Sequence, residues 1–234
     1  MDPRKSDIPL KERVGYVSED PALYDWMKVG EMVWFTGQLH RQWDQQKVED
    51  LLRRFGLDLD QKIKHLSRGM NAQLALALAL GHDPELLILD EPATGLDVLV
   101  RRDFLESVIG IIQEEGRTVF LSSHMVHEVE RVADRVAIID NGRLIVSKEV
   151  DEIKGMVKKV LVHGENGIAD FSAVTGLRKT EGAGGRQLLT VADFSDRTVE
   201  EIKSGGGRVV EVIDLSLEDS FVEYVRPHIA VEEG

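Results

Sequence analysis

Leu86-Leu87-Ile88-Leu89 is a run of large apolar residues that ends in two adjacent carboxylates, Asp90 and Glu91. So short an apolar run reads as a strand buried on both faces, as in a parallel sheet covered by helices. The acid pair would then stand at the carboxyl edge of that sheet, where open α/β folds place their chemistry. Adjacent carboxylates suit a metal-and-water task there. One holds Mg²⁺, directly or through its waters, while the next polarises an attacking water. Taken alone, the same residues equally describe a core strand followed by a solvated acidic turn.

The neighbouring segments bear on that choice. Upstream, Leu66-Ser67-Arg68-Gly69-Met70 opens a run of Ala, Leu and Gln, Asn71 to Leu80, that favours helix. Ser67 is placed to cap that helix, and Gly69 leaves room for a ligand at the first-turn amides. A helix start of this kind accepts an anion such as phosphate, or is simply a capped helix. Downstream, Thr94-Gly95-Leu96-Asp97 precedes a helical stretch from about Val98 to Glu115. Thr118 to Leu121 then reads as a second buried strand ending in Ser122-Ser123-His124. An imidazole beside the acidic strand either reaches a terminal phosphate or serves as a structural hydrogen-bonding group.

In this order the four segments resemble the ATP-binding cassette (ABC) ATPases, the nucleotide-binding subunits of ABC transporters. Leu66 to Met70 is similar to the signature motif and Ile88 to Glu91 to the Walker B strand. Thr94 to Asp97 resembles the D-loop, and Ser122 to His124 the switch-histidine loop. Gly15 to Pro21 sits where the family carries its Q-loop. The likeness runs from about Arg13 to Ser147, with departures: Glu19 stands in place of the usual Gln, Arg68 and Met70 in place of Gly and Gln, and Ala93 in place of Thr or Ser. The Arg-Gly-Met variant resembles exporter-type subunits.

The resemblance implies a mechanism in which two cassettes close face to face on ATP. Ser67, Arg68, Gly69 and Met70 would contact the nucleotide across the dimer. Asp90, with Glu19, would hold Mg²⁺, and Glu91 would act as general base. His124 would stabilise the transferring phosphoryl group, while Gly95, Leu96 and Asp97 would line the interface. Such catalysis is mostly positioning and electrostatics. Implied partners are a membrane-spanning permease and a second ABC ATPase subunit, identical or different. The implied location is cytoplasmic, on the inner face of the membrane through the permease.

The family's phosphate loop, Gly-x-x-x-x-Gly-Lys-Ser/Thr, occurs nowhere in the chain. Two glycine-rich stretches, Gly182-Ala183-Gly184-Gly185-Arg186 and Gly205-Gly206-Gly207-Arg208, lack the Lys-Ser/Thr and read as turns with a solvated Arg. The reading that follows is a cassette lacking its N-terminal phosphate-loop segment, inactive alone. Two alternatives stay open: a non-hydrolytic partner that completes another cassette's ATP site, and a soluble non-transport ABC protein. On the first reading, lost strands leave an apolar sheet face exposed.

The expected fold is α/β, a partial P-loop NTPase core of the ABC, RecA-like type with a helical subdomain and a small α+β appendage. Residues 1–19 would be a remnant of the core carrying the Q-loop-like segment, with a strand at Arg13 to Val17. Residues 20–82 would be the helical subdomain, with helices over Val29 to Trp43 and, capped by Asp44, over Gln45 to Phe55. Residues 83–149 would hold the Walker B, D-loop and histidine segments and an Asn141-Gly142 hairpin. Residues 150–234 would add strands at Lys158 to His163, Gln187 to Val191 and Arg208 to Leu215. Helices are expected there at Thr198 to Lys203 and, from a Ser216–Asp219 capping box, at Leu217 to Val225.

Charge and composition narrow the partners. The formal net charge of −13 argues against nucleic acid and against unaided binding to anionic lipid. Cysteine is absent, so neither a disulfide framework nor a thiolate metal site is available. No apolar run approaches the roughly 20 residues of a membrane span. Trp26, Trp34 and Trp43, with Tyr24 and Phe35, are expected to pack into the core of the helical region. The alternative is that Tyr24 and Trp26 line a groove for a membrane-domain helix.

Overall fold

A short helix, α1 (Asp7–Lys11), leads into β1 (Val14–Val17) in a computed structural model that describes residues 7–115, 117–164, 169–183 and 185–229. The chain divides into two compact units, one ending at Met125 and the other beginning at Val126.

In the first unit, α2 (Val29–Gly37) and α3 (Gln45–Arg54) follow β1. The expected helix to Trp43 stops at Gly37. The chain folds back there and lays the Trp43 indole against Gly37 and Gly81, where a Cβ would stand only 2.9 and 2.5 Å from the ring. Asp44 caps α3 as expected, its Oδ1 accepting from the Lys47 amide at 2.9 Å. Phe55 is the C-cap, and Gly56 follows in the left-handed region at φ +70°. A 3₁₀ turn, Ile63–His65, leads to α4 (Arg68–Leu80), capped by Ser67 Oγ on the Met70 amide at 3.2 Å. Ala72, Leu74 and Leu76 to Leu80 are all buried, as in a helix enclosed nearly all round.

Strand β2 (Leu86–Asp90) pairs in parallel with β1 on one side and with β3 (Thr118–Ser122) on the other, across α5 (Val98–Glu115). Leu87 and Leu89 are fully buried, on the face where Gly15 of β1 meets Ala79 of α4. The opposite face does not match the expectation of burial on both sides. Tyr16, Ile88 and Phe120 lie in one row across the sheet, and Tyr16 and Phe120 are 57% and 62% exposed. The aromatic expectation also needs correction. Trp26 and Trp34 are 67% and 63% exposed, and only Trp43 packs inward.

The second unit begins with α6 (Val126–Val132) and the hairpin β4 (Arg135–Asp140) and β5 (Arg143–Glu149). Asn141 and Gly142 both have positive φ at its turn, as a type I′ hairpin requires. Then come α7 (Val150–Met156), β6 (Val157–Gly164), β7 (Leu177–Ala183), β8 (Arg186–Ala192), α8 (Asp196–Ser204), β9 (Gly207–Asp214) and α9 (Leu217–Ile229). The antiparallel sheet runs β7-β8-β6-β9. Val160, Val162, Leu189 and Val191 pack with Phe171 and Ile202 on one face of it. A second cluster, Val146, Val150, Ile153 and Leu217, joins β5, α7 and α9. Glu130, paired with Lys154, accepts the Leu217 amide at 3.0 Å and so fixes the start of α9. Helices α1 and α7 and strand β7 were not expected from the sequence.

Candidate active site

Parallel register brings the end of β2 beside the end of β3, with Asp90 opposite Ser122. The Ser122 hydroxyl donates to Asp90 Oδ1 at 2.7 Å and accepts the Glu91 amide at 3.0 Å. That amide also reaches the Ser122 carbonyl at 3.2 Å. Glu91 has φ +47°, a left-handed conformation that costs a non-glycine residue about 1–3 kcal/mol. The N–H shared between the hydroxyl and the carbonyl of Ser122 holds it there and turns the chain out of the strand direction. On the other side Tyr16 OH donates to Asp90 Oδ2 at 3.2 Å. Partial burial, then the bond to Asp90 and its charge, push the Tyr16 phenol up from its ordinary value.

The Glu91 carboxylate is fixed by two donors on one oxygen. Thr94 Oγ1 and His124 Nδ1 both lie 2.9 Å from Oε2. A carboxylate only accepts, so the His124 proton sits on Nδ1, leaving Nε2 for another group. The imidazole is 65% exposed and the Glu91 side chain only 24%. The carboxylate is thus sheltered, and the ring forms its open rim.

The Ser67–Met70 turn is joined to the Thr94–Asp97 turn by packing. The Arg68 guanidinium lies against Gly95, which has φ +73° and no Cβ to obstruct it. Gly69 likewise accepts the Val100 side chain. Asp97 Oδ1 takes the Leu99 and Val100 amides at 3.1 and 3.0 Å and so starts α5, and Leu96 is buried. No hydrogen bond or ion pair among the described residues joins Ser67, Arg68, Gly69 or Met70 to Asp90, Glu91 or His124. Glu19 lies exposed on the bend after β1, also without a bond to either acid.

Asp90, Glu91 and His124 stand out in the sequence, whereas Tyr16, Thr94 and Ser122 carry no individual role there. Thr94 lies three residues after Glu91, a spacing that a turn brings within reach. Tyr16 and Ser122 depend on strand register, which no local signal carries.

The Asp90 oxygens fit Mg²⁺ or its waters. Each oxygen of Asp90 takes one hydrogen bond and keeps a lone pair for a hard cation or its water. Among the described residues no group of three or more His, Cys, Asp or Glu side chains can hold a metal. Mg²⁺ would therefore be shared with a substrate's phosphates, its common mode of binding.

Residues 2–94 match the family model for the ABC transporter. An ABC transporter ATP-binding protein of Alkalihalophilus pseudofirmus is 31% identical over 231 residues, which is 94% of this chain and 86% of that protein. One from Nostoc is 36% identical over 168 residues, 69% of this chain but only 50% of the relative's length. Among solved structures, cbiO1 of Clostridium perfringens, part of the ABC transporter complex cbiONQ, aligns with a TM-score of 0.57 and 28% identity. That alignment covers 64% of this chain and 62% of cbiO1. A cassette ATPase core, an acid pair closing its central strand and a sequence match over nearly the whole length lead to one assignment: the chain belongs to the ABC transporter ATP-binding protein family.

Proposed function

We propose that this chain serves as the ATP-binding subunit of an ABC transporter of the export type, coupling ATP hydrolysis to transport. The observation that carries the reading is the Glu91 carboxylate, pinned by Thr94 and His124 beside the Asp90–Ser122 pair. Glu91 acts as general base toward a water. Asp90, with Glu19 on the bend after the neighbouring strand β1, would hold Mg²⁺, which would supply charge neutralisation of the phosphates. His124 Nε2 faces the transferring phosphoryl group. The helix start formed by Ser67, Arg68, Gly69 and Met70, with its positive dipole end, meets the nucleotide of a facing cassette. Gly95, Leu96 and Asp97 lie at that interface. The exposed Trp26 stacks near Tyr24, with ring centroids 5.8 Å apart, and Tyr24 meets Phe35 edge-on. This aromatic group supports docking of a permease helix, which would place the subunit on the cytoplasmic face of the membrane.

In the transporter assembly purified with this chain, Glu91→Gln is expected to lower ATP turnover by about 100-fold or more while nucleotide-dependent association persists. Undiminished turnover would overturn the reading.

One observation favours a second reading. These 234 residues contain no Gly-x-x-x-x-Gly-Lys-Ser/Thr loop, whereas the Ser67-capped turn is formed. On that reading the chain is inactive alone and completes the ATP site of a full cassette. Ser67→Ala would then reduce the assembly's turnover while Glu91→Gln would not.

A further inference from the structure

Two glycine-rich turns, each ending in an arginine, converge in the second unit. The β7–β8 turn delivers Arg186, and the turn between α8 and β9 delivers Arg208. Strand β6 runs between β8 and β9, and its His163 is the direct register partner of both arginines. Directly opposed residues share a face of the sheet. Arg186, His163 and Arg208 therefore stand in one row, with the outer two Cα atoms about 10 Å apart.

The row lies on the face away from α8, because Val162 and its partner Val209, one position inward, pack with Ile202 on the α8 side. All three side chains are exposed. The His163 ring lies against Gly185, where a Cβ would come within 2.9 Å of Cε1, and so it is steadied by the turn. No described residue forms a hydrogen bond or ion pair with any of the three. Among the described residues two acids share this face, Glu181 and Glu211, which pair in register with Leu188 and Leu161, and Glu181 is held by Lys179 at 2.7 Å. Like charges placed directly opposite repel. In a chain of net charge −13, two arginines and a histidine side by side, with no side-chain partner among the described residues, are an arrangement that a ligand would complete.

We propose that Arg186, His163 and Arg208 form a binding site for a phosphate-type oxyanion, a phosphomonoester or oligophosphate, distinct from the Asp90–Glu91 site. Two guanidinium forks approaching from either side match the geometry of phosphate oxygens. The His163 ring between them offers a third donor through a ring N–H. The same chemistry is presented by a soluble phosphate compound or by an anionic lipid headgroup.

Calorimetric titration of the full chain with inorganic pyrophosphate, and flotation with phosphatidic acid vesicles against phosphatidylcholine vesicles, test the site and separate the two sources. Arg186→Gln and Arg208→Gln are each expected to weaken binding by about tenfold. A charge-matched Lys148→Gln/Lys203→Gln control should change it little. Pyrophosphate binding lost in the arginine variants supports the site with a soluble ligand. Vesicle binding lost in them, without pyrophosphate binding, supports it with a headgroup. Binding that survives the double arginine variant, or no binding in either arm, overturns it. The ATP-site variant Glu91→Gln should leave this binding unchanged, so failure here is distinct from failure of the ATPase reading.

Discussion

Glu91 shows how backbone and side-chain chemistry meet at one residue. Its left-handed φ turns the chain out of β2, and Ser122 holds that turn through both its hydroxyl and its carbonyl. Replacing Glu91 removes the carboxylate whatever residue enters, so a comparison of two replacements isolates the backbone. Glu91→Gly should be more stable than Glu91→Ala by about 1 kcal/mol, because only glycine adopts this φ without strain. Urea unfolding of the two variants measures the difference. Equal midpoints would mean that the turn relaxes when the side chain goes. A strained acid whose carboxylate is held by Thr94 and His124 fits a residue kept for chemistry rather than stability.

At the scale of elements, the junction of β1, the α2–α3 connection and the end of α4 is held by a pair of imidazoles. His40 and His82 stack with centroids 4.3 Å apart, and His82 Nε2 donates to the Val14 carbonyl at 3.2 Å. His82 Nδ1 is buried with no partner. Protonation there would place a charge with no acceptor beside a second ring. Burial foremost, then the neighbouring His40, pushes the His82 value down against the opposing pull of the Val14 bond. Burial also lowers His40, opposed by Glu12. Arg13, Arg41, Asp83 and Glu85 surround the pair, and the Arg13–Glu85, Arg41–Glu12 and Arg117–Asp83 bridges balance their charge. A histidine lowered on folding binds fewer protons folded than unfolded. Stability is therefore full above the unfolded value of about 6.5 and falls as pH drops below it. Asp83 and Glu85 are lowered too, but they act only where carboxylates titrate, below about pH 5. Urea midpoints should thus fall between pH 7.5 and 5.5, and His40→Gln should flatten that slope. A midpoint constant across the window would show that the pair accepts a proton freely.

At the scale of the whole molecule, the parallel sheet offers an apolar row, Tyr16, Ile88 and Phe120, on its open face. Open apolar area of this kind invites association, while the net charge of −13 opposes it. The chain is expected to bind a hydrophobic dye, with Phe120→Thr reducing the fluorescence by about half. Because Phe120 is 62% exposed, that change should alter stability by no more than about 0.5 kcal/mol. Dye binding indifferent to Phe120 would place the reactive surface elsewhere, for example at Trp26 and Trp34. No helix among the described residues is long and apolar enough to cross a membrane.

Much of this was legible because it is local. The β2 run and its acids, the Asp44 and Ser67 caps and the Asn141-Gly142 hairpin each rest on dihedral preference or periodicity within a few residues. The weakly apolar edge strand β7 and the short α1 and α7 give no such signal, and the end of α2 depended on a distant Gly81 meeting Trp43.

By itself, then, the sequence determined where the acid pair, the Ser67-capped turn and the histidine fall along alternating strands and helices, since those choices follow from neighbouring residues. Only the tertiary structure decided which hydroxyls meet the carboxylates, which sheet face stays open and that Arg186 and Arg208 flank His163. Strand register and packing between residues far apart in the chain set those, and a one-residue slip in register would undo each.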